Sequence, residues 1–246
     1  MQRLRLEVSA VLFMHEVHHV RGRAEDAFEA AYREGWMPML AAAEDARLLW
    51  YANHAHGSGP AYTVVTVTVV RDGASWERLA LRIQQGDLRQ WMRDLDELRY
   101  DVDAKLLVPL GWSPIKDVDF DDVPVDGKEH ELTLYMEDTM WPFPDRVGEY
   151  IERCGEVYSK SLDRPNPLLT IEAAFRPALG SQRRREVALM QRIHDPPGPS
   201  QAAADRHCAR IPWAGNLDAR RTRIARPVDQ PAAADIVMVT PALRHL

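Results

Sequence analysis

The segment His15-Glu16-Val17-His18-His19 can do chemistry in two ways. On a helix, the HExxH spacing sets His15 and His19 one turn apart for zinc, with Glu16 as base. The longer HExxHxxG form puts Glu25 where a third histidine ligand would stand. On a strand, alternation puts His15, Val17 and His19 on one face and Glu16, His18 and Val20 on the other. The strand reading is preferred, because LTLYMEDTMW (132–141) occupies the same place in a second copy of the pattern. His15 and His19 are then candidate acid–base groups near neutral pH, and no metal site is assigned. Glu137 shares a face with Tyr135 and Thr139. Buried there, its pKa would rise and it could act as a general base; the alternative is a carboxylate paired with Arg192 or Arg176.

Further candidates follow by face. His54 and His56 lie two apart on the second strand, roughly two strand spacings, ~10 Å, from His15. On the third strand Tyr62, Thr66 and Thr68 share one face, expected between the sheets, where polar groups orient a ligand. The opposite face, Thr63, Val65, Val67 and Val69, is expected against helices. His194 shares a face with Ala188, Met190 and Arg192. Tyr158 and Lys160 read as a solvated helix end.

The elements that must position these residues form two similar runs. In the first, residues 21–40 carry helical spacing, 48–56 and 61–72 are strand-like around a Gly-containing turn, and 74–83 and 88–99 are helices, the former ended by Gly86. Residues 104–112 return as a strand. In the second, 131–141 is a strand, 144–162 a helix, and 168–195 a strand–turn–strand. Residues 201–211 read as a helix and 221–228 as the closing strand. Each half is β-α-β-β-α-β, the ferredoxin-like order. Two such halves bury their bare sheet faces against each other. The fold class is α+β, with halves at 1–115 and 131–230, an acidic linker at 116–130 and a C-terminal tail at 231–246.

Composition agrees. Lys and Arg number 31 against 37 Asp and Glu, a net charge of −6, and 46% of the 246 residues are hydrophobic. Such a balance argues against a general nucleic-acid binder; Arg183-Arg184-Arg185 reads as a solvated loop. Cys154 and Cys208 make no disulfide framework and are read as reduced thiols. The N-terminal stretch does not read as a signal peptide, and the uncharged run 48–70 is broken by His54, His56, Gly57, Gly59 and Pro60, so no membrane span is expected. The expected location is cytoplasmic. GSG at 57–59 is a turn without a following Lys-Ser/Thr, no GxGxxG opens a helix, and no GxSxG elbow is present.

EVHHVRG, YREGWMPML, AYTVVTVTVVRDGASWERL and VPLGWSP resemble segments of tandem NIPSNAP-like proteins of the dimeric α/β-barrel superfamily. The resemblance covers residues 10–115, and 130–210 more loosely. It implies an internal dimeric α/β barrel with a site for a small, largely apolar organic molecule between the paired sheets. It also implies lyase, isomerase or cofactor-free monooxygenase chemistry. His15, His19 and Glu137 are the catalytic candidates; Tyr62, Thr66, Thr68, Tyr135 and His54 are the substrate-binding ones. No cofactor is expected, the alternative being a haem or metal ion held by strand histidines. A non-catalytic carrier or sensor is the other alternative. Either a monomer with an internal pseudo-dimer or a homodimer satisfies the pairing.

Overall fold

A computed structural model describes residues 11–55, 59–126, 133–161, 167, 169–178, 185–194 and 234–239. The strands are β1 (Leu12–Val20), β2 (Ala46–His54), β3 (Thr63–Val70), β4 (Arg99–Pro109), β5 (Thr133–Met140), β6 (Leu169–Pro177), β7 (Val187–Ile193) and β8 (Ala234–Val239). They close into one barrel in the order β1-β3-β2-β8-β5-β7-β6-β4. Each half thus keeps the ferredoxin-like neighbour order, with its first strand between its third and fourth. The halves meet along two antiparallel seams, β2 with β8 and β4 with β6. Closure leaves no sheet edge unpaired, which removes the usual route to edge-to-edge aggregation.

Strand β3, TVVTVTVV, is β-branched at every position and buried at every position. Such residues lose little rotamer freedom on a pleated surface. One face looks into the barrel and the other supports the helices. Facing the interior, Phe13, Trp50, Val65, Val67, Val69, Leu107, Tyr135, Phe175 and Met190 form one cluster. Phe13 of the first half and Phe175 of the second touch across it, ring centres 4.7 Å apart.

Outside the first sheet lie α1 (Glu25–Ala31), a π-helical turn (Tyr32–Trp36), α2 (Met37–Ala41), α3 (Gly73–Gln85) and α4 (Arg89–Leu98). Their apolar faces cover Val20, Leu48, Tyr51, Val64 and Val70. The Asp72 carboxylate caps α3 by accepting from the Ser75 amide at 2.7 Å, and Gly86 ends that helix as its sequence position predicts. The extra residue of the π turn is accommodated where Gly35 lies flat against Trp91; a Cβ there would come within 2.1 Å of the indole. In the second half α5 (Val147–Ser161) covers Ala174, Val187 and Leu189. Tyr158 packs with these side chains and is half-buried, so it is not the solvated helix end expected of it.

Two boundaries differ from the sequence reading. The closing strand of the second half is β8, inside the segment assigned to the tail, where it pairs with β5 on one side and β2 on the other. Residues 221–228 and 201–211, together with His56, Cys208, Arg183 and Arg184, lie outside the described residues. The acidic linker is also part of the core. Phe120 and Val123 are buried in the interior cluster, with Ile115 and Val118 beside them. Arg71 and Arg47 stack over the Phe120 ring at 4.4 and 5.4 Å. Its described acidic residues, Asp117, Asp119, Asp121, Asp122 and Asp126, are exposed, while Phe120, Val123 and Val118 pack into the interior cluster.

Candidate functional site

Because HEVHH is a strand, His15 and His19 are separated by four strand rises, roughly 13 Å, and cannot share a zinc ion. Among the described residues no group of three His, Cys, Asp or Glu side chains could hold a metal ion. Alternation sends His15 inward and Glu16 and His18 outward, beneath α1.

Inside the barrel, His15 meets Glu137. The imidazole Nε2 donates to the carboxylate, at 3.0 Å from Oε1 and 3.1 Å from Oε2. The two side chains are only 5% and 13% exposed. They come from matching places in the two halves, FMHE on β1 and YMED on β5. Burial pushes the Glu137 carboxyl upward, but the charge and hydrogen bond of His15, with Lys105 and His54 nearby, outweigh it and hold the pKa down at about 2. The expectation of a raised Glu137 pKa is therefore corrected: the group is a carboxylate, not a poised base. Its partner is His15, not Arg192 or Arg176. A carboxylate can only accept, so Nε2 carries the proton; whenever the ring is neutral, Nδ1 carries the lone pair.

His54 ends β2 on the same interior face and acts electrostatically on Glu137. Tyr135, one interior position before Glu137, is buried and pairs with Trp50; burial first, and then the Glu172 carboxylate, raise its pKa. His19 lies on the interior face, opposite Thr63 and Asp101, and is half-buried. His194 bonds Thr170 Oγ1 through Nε2 at 2.5 Å.

The threonine face is not between the sheets. The β1–β3 register sets His15 opposite Val67 and Glu16 opposite Thr66. Val65, Val67 and Val69 therefore line the interior, and Thr66 and Thr68 look toward the helices, the reverse of the expected faces. Tyr62 precedes β3 with a positive φ of 60° and is 46% exposed. The reason is a buried polar cluster outside the barrel. Arg99 Nη1 donates to His18 Nδ1 at 2.7 Å. Guanidinium has no acceptor, so His18 Nε2 bears the proton, within bonding distance of Thr66 Oγ1 (3.0 Å) and the Tyr32 hydroxyl (3.1 Å). Thr66 Oγ1 in turn donates to Glu16 Oε2 at 3.4 Å. Arg99 is also paired with Asp96 at 2.6 Å. Burial, then Arg99, lower the His18 pKa to about 3, and burial raises that of Glu16 against the opposing pull of Arg99. Without the Thr66 hydroxyl, Glu16 and His18 would be buried with fewer partners, which is costly.

Lys105 on β4 was missed. It is paired in register with His15, shares the interior face with Leu107, and contacts Glu186 at 2.8 Å. A single charged residue in phase with inward-facing apolar ones, in AKLLVPL, was the available signal.

For a haem iron or other metal, His15 offers Nδ1 alone and His18 offers neither nitrogen. Among the described strand histidines, such ligation would fall to His15 Nδ1, His19, His54 or His194 Nδ1.

The fold is that of the dimeric α/β-barrel proteins, here closed within one chain. No protein-family model matches the chain, and no curated protein matches it. Among solved structures, a monooxygenase-like protein from Lactobacillus acidophilus matches over 95% of both chains, at 8% identity and a TM-score of 0.54. An anthrone oxidase-like protein matches over 94% of this chain and 92% of its own, at 10% identity and a TM-score of 0.54. A NIPSNAP-like domain protein from Burkholderia xenovorans, 17% identical, matches over 46% of this chain and 99% of its own with a TM-score of 0.39. At these identities the likeness is one of fold, and chemistry must be argued from the side chains.

Proposed function

We propose that the chain is an enzyme that removes a proton from a small, largely apolar organic molecule held in the barrel interior. The observation that carries this reading is the buried His15–Glu137 pair. His15 Nδ1 takes a proton from an acidic C–H or O–H of the substrate, and the bond's electron pair stays on the substrate. The imidazolium so formed is stabilised by the Glu137 carboxylate already on Nε2, as an oriented carboxylate does for a base in hydrolase triads. The surrounding Phe13, Trp50, Val67 and Phe175 keep water away and strengthen each charge contact. Tyr135 and His54, on the same interior face, are the proposed orienting groups. Proton abstraction is the first step of isomerase and lyase chemistry, and of cofactor-free oxygenation of acidic aromatics. The fold neighbours described as monooxygenase-like and anthrone oxidase-like are in keeping with the last of these.

The test is α-proton exchange of 1-tetralone in deuterium oxide, followed by NMR. The wild-type chain accelerates exchange. His15→Gln loses ~10²-fold or more, the usual weight of a general base. Glu137→Gln loses less, since it orients the base. Equal rates in wild type and His15→Gln would end the reading.

A further inference from the structure

We propose that Lys105 is the oxyanion-holding group of this site, so that its substrates are phenols and enolisable ketones whose oxygen becomes anionic. The inference rests on the proton-abstraction reading above and extends it to substrate class. Three observations carry it. Lys105 is the direct cross-strand partner of His15 on β4, on the same inward face, so the ammonium and the base serve one volume. Lys105 acts electrostatically on Glu137, so its charge is felt at the dyad. Its ammonium lies 2.8 Å from Glu186 Oε1, yet that oxygen has no aligned hydrogen bond among the described residues. The carboxylate offsets the cost of burying the cation while leaving ammonium N–H groups for another acceptor.

The chemistry balances. The C–H or O–H proton passes to His15 Nδ1, and the electron pair comes to rest on the substrate oxygen as an enolate or phenolate. The Lys105 ammonium donates to that oxygen without transferring a proton. A preorganised cation in a water-poor interior is worth most where charge develops, which is on that oxygen. Substrates lacking such an oxygen are excluded, because the ammonium would be desolvated with no new partner.

The probe is 4-nitrophenol, whose phenolate is read by its visible absorbance. Bound to the wild-type chain, it ionises at lower pH than in solution, by one unit or more, equivalent to phenolate binding about tenfold tighter than phenol. Lys105→Met, checked for folding by circular dichroism, abolishes that shift. Lys105→Arg retains part of it, and Glu186→Gln enlarges it by removing the competing carboxylate. A purely structural Lys105 would not move the ionisation of a bound probe. An unchanged shift in Lys105→Met, or no saturable binding by wild type, overturns the inference. A lysine-dependent shift without tetralone exchange keeps the oxyanion site and rejects the base; exchange that survives Lys105→Met keeps the base and rejects the oxyanion site.

Discussion

The two halves place different chemistry at matching positions. Around β1, His15 points inward while Glu16 and His18 point beneath α1, and Tyr32 of the π turn bonds His18. Around β5, Glu137 points inward while Asp138 and Met140 occupy the corresponding places, and the Tyr150 hydroxyl of α5 contacts Met140 Sδ. Gly35 of the first half lies against Trp91 of the same half, and Gly155 of the second half lies against Trp112, which the first half contributes. The packing plan is shared and the polar content is not. Two identical halves would bring like residues together where the halves meet, His with His or Glu with Glu, and a buried like-charged pair resists ionisation. A single chain can put a base on one side and its carboxylate on the other.

The first half's outer cluster should dominate stability. Arg99→Met removes the donor to His18 and uncovers buried Glu16; it should cost ~3–5 kcal/mol, read by urea unfolding, the usual scale for breaking a buried charged network. No single polar deletion around Met140 should approach that. A smaller cost from Arg99→Met than from Tyr150→Phe would reverse the comparison.

The pH response should separate the halves next. His18 is held neutral with a folded pKa of about 3, against an ordinary 6.5 in the unfolded chain. Its stabilising contribution is present above pH 6.5 and is lost as pH falls toward 3, by up to ~1.4 kcal/mol per pH unit. His18→Met, which copies the second half, should be less stable at pH 7 but flatter across that window. Parallel stability–pH curves for the variant and wild type would show that His18 is not the acid-sensitive group.

Glu137 responds lower. Its folded pKa of about 2 lies below the ordinary 4.5, so its contribution is present above pH 4.5 and is lost as pH falls toward 2. The stability gap between wild type and Glu137→Gln should narrow by on the order of 2–3 kcal/mol over that interval. A constant gap would mean that the pair contributes nothing through charge.

The smallest effects sharpen the comparison of the tyrosines. Tyr32→Phe should cost ~1–2 kcal/mol, since its hydroxyl bonds a buried imidazole. Tyr150→Phe should cost under ~1 kcal/mol, because thioether sulfur is a weak acceptor. Thermal unfolding of the two variants side by side decides the order.

Much of this arrangement was legible in the sequence. Alternation alone put His15 and Glu137 on definite faces of the two opening strands, and the repeat matched those strands to each other. What failed was phase. TVVTVTVV has two plausible inward faces, and polarity alone points to the threonine face as the ligand-facing one. The cross-strand register with β1 decides otherwise, because Glu16 and His18 need hydroxyl partners on the helix side. Lys105 has no distinguishing signal beyond its phase with inward-facing apolar residues, because a lone lysine on a strand ordinarily faces solvent. The linker hid its role because its net charge is acidic while its buried contribution rests on a few apolar residues. The closing strand was displaced because RTRIARPV also alternates, and no local signal ranks it below ADIVMV.

The seams have a consequence for how the molecule breathes. Within each half, strands pair along most of their length, whereas among the described residues β2 pairs with β8 from Ala52 to His54, and β4 pairs with β6 from Leu107 to Pro109, with one flanking backbone bond at each end, Ala178 N–H to Leu106 O and Leu110 N–H to Ala174 O. These junctions join residues distant along the chain, so they are late to zip in folding. They are also the cheapest places for a sub-global opening. The barrel is then two cooperative units held by short zippers. Amide hydrogens along the seams should exchange ahead of those on β1 and β3, and parting a seam gives a bulky guest a way to the interior without unfolding either half.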